Sequence, residues 1–261
     1  MNTLTLVIPA YNEEARLPAL LETLASSAEA AVAEAGLELL ETLLVDDGSS
    51  DRTREILAAA SQPKLQPLLG RRENLGKGAS VAEGVRKARG DYVLLADVDL
   101  STPLEEMRKL TAALRDGADI AIGSRAVAGA VVERGPAHRR LTGKAFGAAV
   151  RMLTGLQVRD TQNGFKLLPT SAAQELFAEQ LCPGFAFDVE LLMRAQRAGM
   201  RIAEVPVLYV HDARSRVRVA SASPQMLSDV ARLAYRLKPR RAARAAERPA
   251  RLTELPADDS D

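Results

Sequence analysis

The sequence predicts an α/β fold in which helices flank a mainly parallel β-sheet. Short, β-rich apolar runs alternate with helical patterns along the first 124 residues, and such alternation is typical of parallel strands joined by crossover helices. Unusual polar clusters follow several of the predicted strands, and open α/β sheets bind their ligands at this edge. At 47% hydrophobic and 26% charged, the chain of 261 residues is also able to bury a full core.

The first half contains five predicted strands, which lie at 4–9, 39–45, 65–69, 92–96 and 119–122. The helices between them are expected to begin after residue 14 and near residues 51, 78 and 103. Pro103 suits the start of a helix, because the N–H that it lacks would have no intrahelical partner there. Residues 1–124 therefore predict a regular strand–helix alternation.

The second half departs from this alternation and is expected to elaborate the fold. A small-residue loop at 126–135 and a turn at 161–164 separate helices predicted at 144–153, 171–179 and 188–198. A strand follows at 201–210, where Pro206 indicates a sheet edge or a bulge. From Pro224 an amphipathic helix places one apolar stripe against the core, formed by Met226, Val230, Leu233 and Leu237.

These patterns predict one domain at 1–238, with halves at 1–124 and 125–238, followed by an Arg/Ala-rich mobile tail at 239–261. The tail lacks apolar periodicity. Its arginines and the preceding amphipathic helix leave two interpretations open, peripheral contact with an anionic membrane or a tail with no membrane role.

Composition narrows the classes of function. With 35 Lys and Arg against 34 Asp and Glu, the chain has no overall field that would favour nucleic acid. One cysteine and two histidines cannot build the usual structural zinc cages, so carboxylates are expected to hold any metal. No run approaches the roughly 18 apolar residues of a membrane span, and no leader pattern opens the chain, so a cytoplasmic location is expected.

Asp97-Val98-Asp99 is the sharpest motif, because it follows a hydrophobic strand directly. Two carboxylates separated by one residue at a strand end can converge on a divalent cation that bridges two phosphates. The alternative is a solvated, Asp-rich turn, since a single motif of this length is common by chance.

Two further clusters fall at the same predicted edge. In residues 45–51, helix capping accounts for Ser50 or Asp51 but leaves Asp46 and Asp47, which could accept hydrogen bonds from a base or ribose. In residues 72–78, glycines and Lys77 at a helix start indicate phosphate contact. The spacing excludes a Walker A loop.

Five motifs of the first half belong together: Ile8-Pro9-Ala10-Tyr11-Asn12-Glu13, Val45-Asp46-Asp47-Gly48-Ser49, Asn74-Leu75-Gly76-Lys77-Gly78, Asp97-Val98-Asp99 and Ile122-Gly123-Ser124-Arg125. Taken together, they resemble the inverting family-two glycosyltransferases of GT-A fold, a Rossmann-like α/β architecture. The second half carries Asp160-Thr161-Gln162-Asn163-Gly164-Phe165-Lys166, Gly184-Phe185-Ala186-Phe187-Asp188-Val189-Glu190-Leu191 and Glu204-Val205-Pro206-Val207. These motifs are similar to those of dolichyl- or polyprenyl-phosphate sugar transferases, nearest the glucosyl type. The resemblance covers roughly residues 3–237.

The resemblance implies roles for particular residues. The nucleotide would be lined by Pro9, Tyr11, Glu13, Asp46 and Asp47, with Lys77 and Arg216 near the donor phosphates. Asp97 and Asp99 would bind Mg²⁺ or Mn²⁺ and the donor diphosphate, while Ser101 stands where related enzymes often carry a further metal-contacting Gln. Arg125 and Arg139 match positions that receive an acceptor phosphate, although both could be ordinary surface charges. His211 could touch phosphate or metal, or simply pack.

The predicted function is metal-dependent transfer of a hexose, from UDP-glucose or GDP-mannose, to a polyprenyl or dolichyl phosphate in cell-envelope glycan biosynthesis. Such a phosphate is already anionic near neutral pH, since its second pKa is about 6, and it needs no strong general base. A sugar-hydroxyl acceptor would need one, and Asp188 and Glu190 are then the candidates. Their alternative roles are charges at a helix start and on a helix face.

Two other classes remain as alternatives. A haloacid-dehalogenase-like phosphatase would use Asp97 as nucleophile and Asp99 as acid, but that motif normally comes early in the chain. A nucleotide-sensing module would not need the acceptor-side arginines. Processive polysaccharide synthases are disfavoured because the chain has no Trp and no predicted membrane span.

Overall fold

The computed structural model describes residues 1–70, 73–133, 137–211 and 219–237, with the backbone alone for 137–142, 144 and 219–224. Its first half contains β1 (Thr3–Ala10), α1 (Leu17–Ser26), α2 (Ala28–Glu34), β2 (Glu38–Asp46), α3 (Thr53–Ala59), β3 (Leu65–Leu68), α4 (Lys77–Lys87) and β4 (Tyr92–Leu95). A short 3-10 turn (Leu104–Glu106), α5 (Met107–Arg115) and β5 (Ile120–Ser124) complete it. The predicted strand–helix alternation is confirmed.

The second half contains β6 (Val131–Val132), α6 (Ala137–Thr154), β7 (Lys166–Pro169), α7 (Thr170–Ala178), α8 (Phe187–Arg197), β8 (Ile202–Pro206), β9 (Leu208–Tyr209) and α9 (Val219–Arg236). Several details differ from the sequence prediction. The first helix is two, α1 and α2, and the strand at 201–210 is split into β8 and β9. The helix predicted at 144–153 begins earlier, at residue 137, and β6 and β7 were not predicted, because two and four residues give too short a pattern.

Seven strands form the main sheet in the order β3-β2-β1-β4-β7-β5-β8, and β6 pairs with β9 separately. All neighbours in the main sheet are parallel except β7, which runs antiparallel to both β4 and β5. β8 lies at the sheet edge, as Pro206 indicated. The fold class predicted from the sequence is therefore correct, with one reversed strand in the middle of the sheet.

Apolar side chains fill both faces of the sheet. One cluster joins β1 and β2 to α1, α2 and α5, and the other joins the opposite face to α4, α7, α8 and α9. The predicted stripe of α9 contributes to the second cluster, where Val230 and Leu233 are buried and Met226 and Leu237 are partly buried. Because helices cover both faces of the sheet, a site is left to form at the ends of the strands.

Strand direction decides which residues meet at one edge. The parallel strands β1, β2 and β4 all finish there, with Ala10 beside Asp46 and Val7 beside Leu95. Because β7 is reversed, its first residue reaches the same edge, and Lys166 pairs with both Leu95 and Ile122. The loops that follow β4 and precede β7 are thereby brought together.

Candidate active site

Hydrogen bonds join the loops after β1 and β2 into one surface. The Asn12 amide oxygen accepts from the Ser50 N–H at 2.9 Å, and the Asn12 N–H donates to Ser49 Oγ at 3.0 Å. Asn12 itself has a φ of 54°, a left-handed conformation that asparagine tolerates better than most residues. The loop geometry is therefore fixed before any ligand binds.

Asp46 and Asp47 are both buried at this edge, but their surroundings differ. Asp47 accepts hydrogen bonds from the backbone of Leu75 and Gly76 and from the Asn74 side chain, at 2.9–3.1 Å. Asp46 accepts from the Ser49 N–H at 3.1 Å, and its other oxygen lies 3.8 Å from Arg54. Asp47 thus holds the 74–76 loop against β2, which positions the start of α4.

Asp97 and Asp99 each face a cation from another element. Asp97 Oδ1 lies 2.6 Å from the Lys77 ammonium, and Asp99 Oδ2 lies 3.3 Å from the Arg16 guanidinium. Arg16 also pairs with Glu13, so it joins the loop after β1 to the loop after β4. The Asp97 side chain remains 39% exposed, which leaves it accessible to a ligand.

The charges of this cluster shift one another's titration. Burial alone would raise the pKa of Asp97, but the Lys77 ammonium, with help from Lys166 and Arg125, lowers it overall. Burial alone would lower the pKa of Lys77, yet Asp97 and Asp188 raise it. Both groups are therefore charged at neutral pH, as a site for a diphosphate and its counter-ion requires.

The residues present fit a divalent cation held in part by the substrate. Within the described ranges no three carboxylate, histidine or cysteine side chains gather into a complete cage. Mg²⁺ is typically bound by one or two carboxylates plus substrate phosphates and water, which matches Asp97 and Asp99. Ser101, whose N–H donates to Asp99 at 3.0 Å, adds a buried hydroxyl that has no hydrogen-bond partner among the described residues. The donor set is thus all oxygen.

Backbone geometry after β4 is unusual. Leu100 has a φ of 42°, which is uncommon for a residue with a branched side chain, and its N–H donates to the Asp97 carbonyl at 3.0 Å. Gly164 approaches the same loop so closely that a Cβ on it would lie 2.5 Å from Asp97 Oδ2. Glycine is required at position 164 because any side chain would displace the carboxylate.

Asp188 lies in the first turn of α8, where it is almost fully buried. Its Oδ1 accepts a hydrogen bond of 2.5 Å from the Lys166 ammonium. Burial raises the pKa of Asp188, although Lys166 and Lys77 act in the opposite direction. The structure thus brings Asp188 close to the Asp97–Lys77 pair, with one oxygen engaged by Lys166.

Glu190, two residues further on, has a different environment. Its carboxylate accepts from the Leu181 N–H at 2.8 Å, the Cys182 N–H at 2.7 Å and Arg194 Nε at 2.8 Å. These bonds fix the segment before α8. Cys182 is buried, and burial raises the pKa of its thiol, which disfavours the reactive thiolate.

Arg125 follows β5 and makes a two-pronged ion pair with Asp160, in which both bonds measure 2.8 Å. Its guanidinium also lies 4.9 Å from the centre of the Tyr209 ring. Asp160 and Tyr209 thus fix the orientation of the Arg125 guanidinium. The ion pair lowers the pKa of Asp160 against the effect of burial.

Other predicted residues are placed less fully. Pro9 and Tyr11 lie at the end of β1 and just beyond it, and Tyr11 is 45% exposed. Arg139 lies in α6, in the part whose side chains are not described, and Arg216 and the tail at 239–261 lie outside the described residues. His211 follows β9 and is half-buried; the preceding Val210 donates to the Ser101 carbonyl at 2.7 Å.

Sequence reasoning missed three charged residues of this site: Arg16, Asp160 and Lys166. Arg16 and Asp160 pair with Asp99 and Arg125, and Lys166 pairs with Asp188. Asp160 and Lys166 lie within a motif that carried the family resemblance, so the motif itself was the available signal. Arg16 had none, because its partner is 83 residues away in the chain.

The geometry and the comparisons with known proteins define the class. Residues 5–177 match the model of Glycosyl transferase family 2, and the chain belongs to this family. It is a glycosyltransferase of GT-A fold. A glucosyl-3-phosphoglycerate synthase of Mycobacterium tuberculosis, crystallised with phosphoglyceric acid, has a TM-score of 0.64 at 20% identity, covering 90% of this chain and 80% of its own.

Sequence relatives give a finer comparison. The chain is 33% identical to a dolichyl-phosphate beta-glucosyltransferase of Trichomonas vaginalis, covering 88% of this chain and 70% of the relative. It is 34% identical to the human dolichyl-phosphate beta-glucosyltransferase, covering 78% and 66% respectively. The same mycobacterial synthase has also been crystallised with Mn²⁺, UDP-glucose and phosphoglyceric acid.

None of the described helices is both long enough and apolar enough to cross a bilayer.

Proposed function

We propose that this glycosyltransferase transfers glucose from UDP-glucose to a dolichyl or other polyprenyl phosphate, with inversion at the sugar carbon. One observation carries the proposal: Asp97 and Asp99 face Lys77 and Arg16 at the carboxyl ends of parallel strands. Carboxylates for a cation, together with fixed ammonium and guanidinium groups, suit a nucleoside diphosphate. The activity for which the relatives are named supports glucose over mannose as the sugar.

The chain's own residues would stabilise the departing diphosphate. Lys77 stands at the start of α4, where helix geometry and its positive charge both favour phosphate. Asp97 and Asp99 would hold Mg²⁺ or Mn²⁺, which supplies further positive charge to the diphosphate when bound. Charge stabilisation of this kind is usually the largest single contribution to such a transfer.

The acceptor step then requires positioning more than proton transfer. A lipid phosphate oxygen attacks the sugar carbon, and the bond from that carbon to the donor diphosphate breaks on the opposite side, releasing UDP. Arg125, oriented by Asp160, and Arg139 are the proposed contacts of the acceptor phosphate. The engagement of Asp188 by Lys166 and of Glu190 by backbone N–H groups favours this route over one that needs a carboxylate base.

The test is transfer of labelled glucose from UDP-glucose to a polyprenyl phosphate, with Mn²⁺ or Mg²⁺ and with a chelator as control. We expect metal-dependent label in the organic phase, and GDP-mannose should be a poor donor. Label that appears only on a soluble saccharide would instead support the hydroxyl-acceptor alternative and make Asp188 or Glu190 the expected base. A trapped phosphoenzyme would favour the phosphatase alternative.

We further propose peripheral contact with the cytoplasmic face of a membrane through the exposed side of α9. Tyr235 is 73% exposed there, beside Arg232 and Arg236. An aromatic ring among arginines suits the interface of an anionic bilayer. Flotation with anionic and with zwitterionic vesicles tests this. Arg236→Gln should weaken anionic binding by about fivefold, since one basic residue contributes about 1 kcal/mol there, and equal binding to both vesicle types would contradict it.

A further inference from the structure

Lys166 is a fully buried lysine, and its side chain is among the largest with no exposed surface. A buried ammonium is costly unless it is paired and hydrogen-bonded, and an apolar residue of similar size would fill the same space more cheaply. The reversal of β7 places this lysine at the strand edge that carries Asp97. Its position therefore calls for a reason beyond core packing.

The ammonium of Lys166 joins two segments. It donates to Asp188 Oδ1 at 2.5 Å and also to the carbonyl of Asn163. Asn163 belongs to the turn at 161–164, which comes before β7, whereas Asp188 lies in the first turn of α8. One side chain thus fixes the turn relative to the helix.

Both segments act on the donor site. Gly164, the residue after Asn163, packs directly against the Asp97 carboxylate. Phe187, the residue before Asp188, packs against the start of α4, with its ring centre 5.8 Å from the Lys77 ammonium, and Lys77 itself pairs with Asp97 at 2.6 Å. A shift of the turn or of the start of α8 would therefore reach Asp97 and Lys77.

We propose that Lys166 is a positioning residue for the donor site: by binding both Asn163 and Asp188, it holds Asp97 and Lys77 in the geometry that receives the metal–diphosphate group. Because Lys166 is fully buried, it would act through these residues and not by contact with the substrate. The proposal rests on the proposed function only in assigning Asp97 and Lys77 to the nucleoside diphosphate.

The test uses Lys166→Met, Asp188→Asn and the double variant. Each single change leaves a buried charge or polar group uncompensated, so both should lower the melting temperature. The double variant removes both charges and should recover most of this loss. Binding of UDP in the presence of Mn²⁺, measured by calorimetry, should nevertheless stay at least tenfold weaker in the double variant than in the wild type.

Hydrogen exchange supplies a second readout. In the double variant, the backbone at 161–165 should exchange faster than in the wild type, because the Asn163 carbonyl has lost its ammonium partner. A double variant that regains both its melting temperature and wild-type UDP affinity would show the pair to be structural only, and would overturn the proposal. Unchanged exchange at 161–165 would overturn it as well.

Glu41→Gln is the matched control. Glu41 is a buried carboxylate that binds Arg89 at 2.6 Å and Thr5 at 3.1 Å, on the strand β2 but away from its carboxyl end. The Glu41→Gln variant should have a lower melting temperature but an unchanged affinity for UDP. A loss of UDP affinity equal to that of the Lys166 variants would contradict a specific role for Lys166. Since the UDP-binding measurement uses no acceptor, failure of the lipid-phosphate assay would leave these results intact.

Discussion

Two acidic pairs with the same spacing have different roles in this molecule. Asp97 and Asp99 follow β4, and their side chains are 39% and 14% exposed. Asp188 and Glu190 lie in the first turn of α8, with side chains only 6% and 2% exposed. The first pair faces cations that border the proposed donor site, whereas the second is bound into the protein interior.

The difference arises from the backbone that carries each pair. In a helix, residues two apart point in different directions, so Asp188 turns toward Lys166 while Glu190 turns toward the segment before α8. After a strand, the turn that includes Leu100 leaves both Asp97 and Asp99 at the sheet edge. Spacing alone therefore does not define a metal site, because the secondary structure decides which way the carboxylates point.

The largest effect is expected from Asp99→Asn, which should lower glucose transfer by about 10³-fold through loss of charge stabilisation at the diphosphate. Transfer should be measured against Mn²⁺ concentration. Asp91→Asn is the control, because Asp91 precedes β4 and binds Thr3, at the other end of the same strand. Full activity in Asp99→Asn would remove the functional contrast between the two acidic pairs.

Glu190→Gln should affect stability instead of catalysis. The amide cannot accept all the bonds that Glu190 makes with Leu181, Cys182 and Arg194, so the free energy of unfolding should fall by about 3 kcal/mol. Urea unfolding and kcat should be measured on the same sample. A hundredfold lower kcat at unchanged stability would make Glu190 the base of a hydroxyl-acceptor mechanism.

Gly164→Ala should weaken metal-dependent transfer by about tenfold, because the added Cβ would lie 2.5 Å from Asp97 Oδ2 and displace that carboxylate. The apparent affinity for Mn²⁺ should fall with it. Gly184→Ala serves as the control, since a Cβ at Gly184 meets no atom within 4 Å. Equal effects of the two changes would count against the role assigned to Gly164.

The smallest effect is a difference in pH dependence between Asp160 and Asp188. The lowered pKa of Asp160 contributes stability that is present above the ordinary Asp pKa and lost as pH falls through the folded value. The raised pKa of Asp188 has the opposite effect on stability. The free energy of unfolding falls as pH rises from the ordinary pKa of Asp through the pKa of Asp188 in the folded chain.

A tenfold difference in proton affinity between the folded and the unfolded chain corresponds to about 1.4 kcal/mol. Asp160→Asn should therefore remove a rise in unfolding free energy with pH, and Asp188→Asn should remove a fall. Urea unfolding from pH 3 to pH 7 measures both slopes. If Asp160→Asn and Asp188→Asn changed the slope of unfolding free energy against pH in the same direction, the contrast between the surroundings of Asp160 and Asp188 would be refuted.

Much of the fold followed from local sequence patterns. The alternation of β1 to β5 with helices, the amphipathic stripe of α9 and the edge position of Pro206 are all set by residues near one another in the chain. β7 was missed because a four-residue strand has too few positions to show a period. Its reversed direction depends on neighbours from β4 and β5, which no local pattern contains.

Local sequence was sufficient to predict the family and to single out the carboxylates of the proposed site, since Asp97, Asp99 and Lys77 lie within short motifs that follow strands or begin helices. The charge pairings, in contrast, depended on the folded chain: Asp99 with Arg16, Asp188 with Lys166, Arg125 with Asp160. A buried charge is stable only beside a partner, and packing brings that partner from a distant part of the chain, where no local pattern can reveal it.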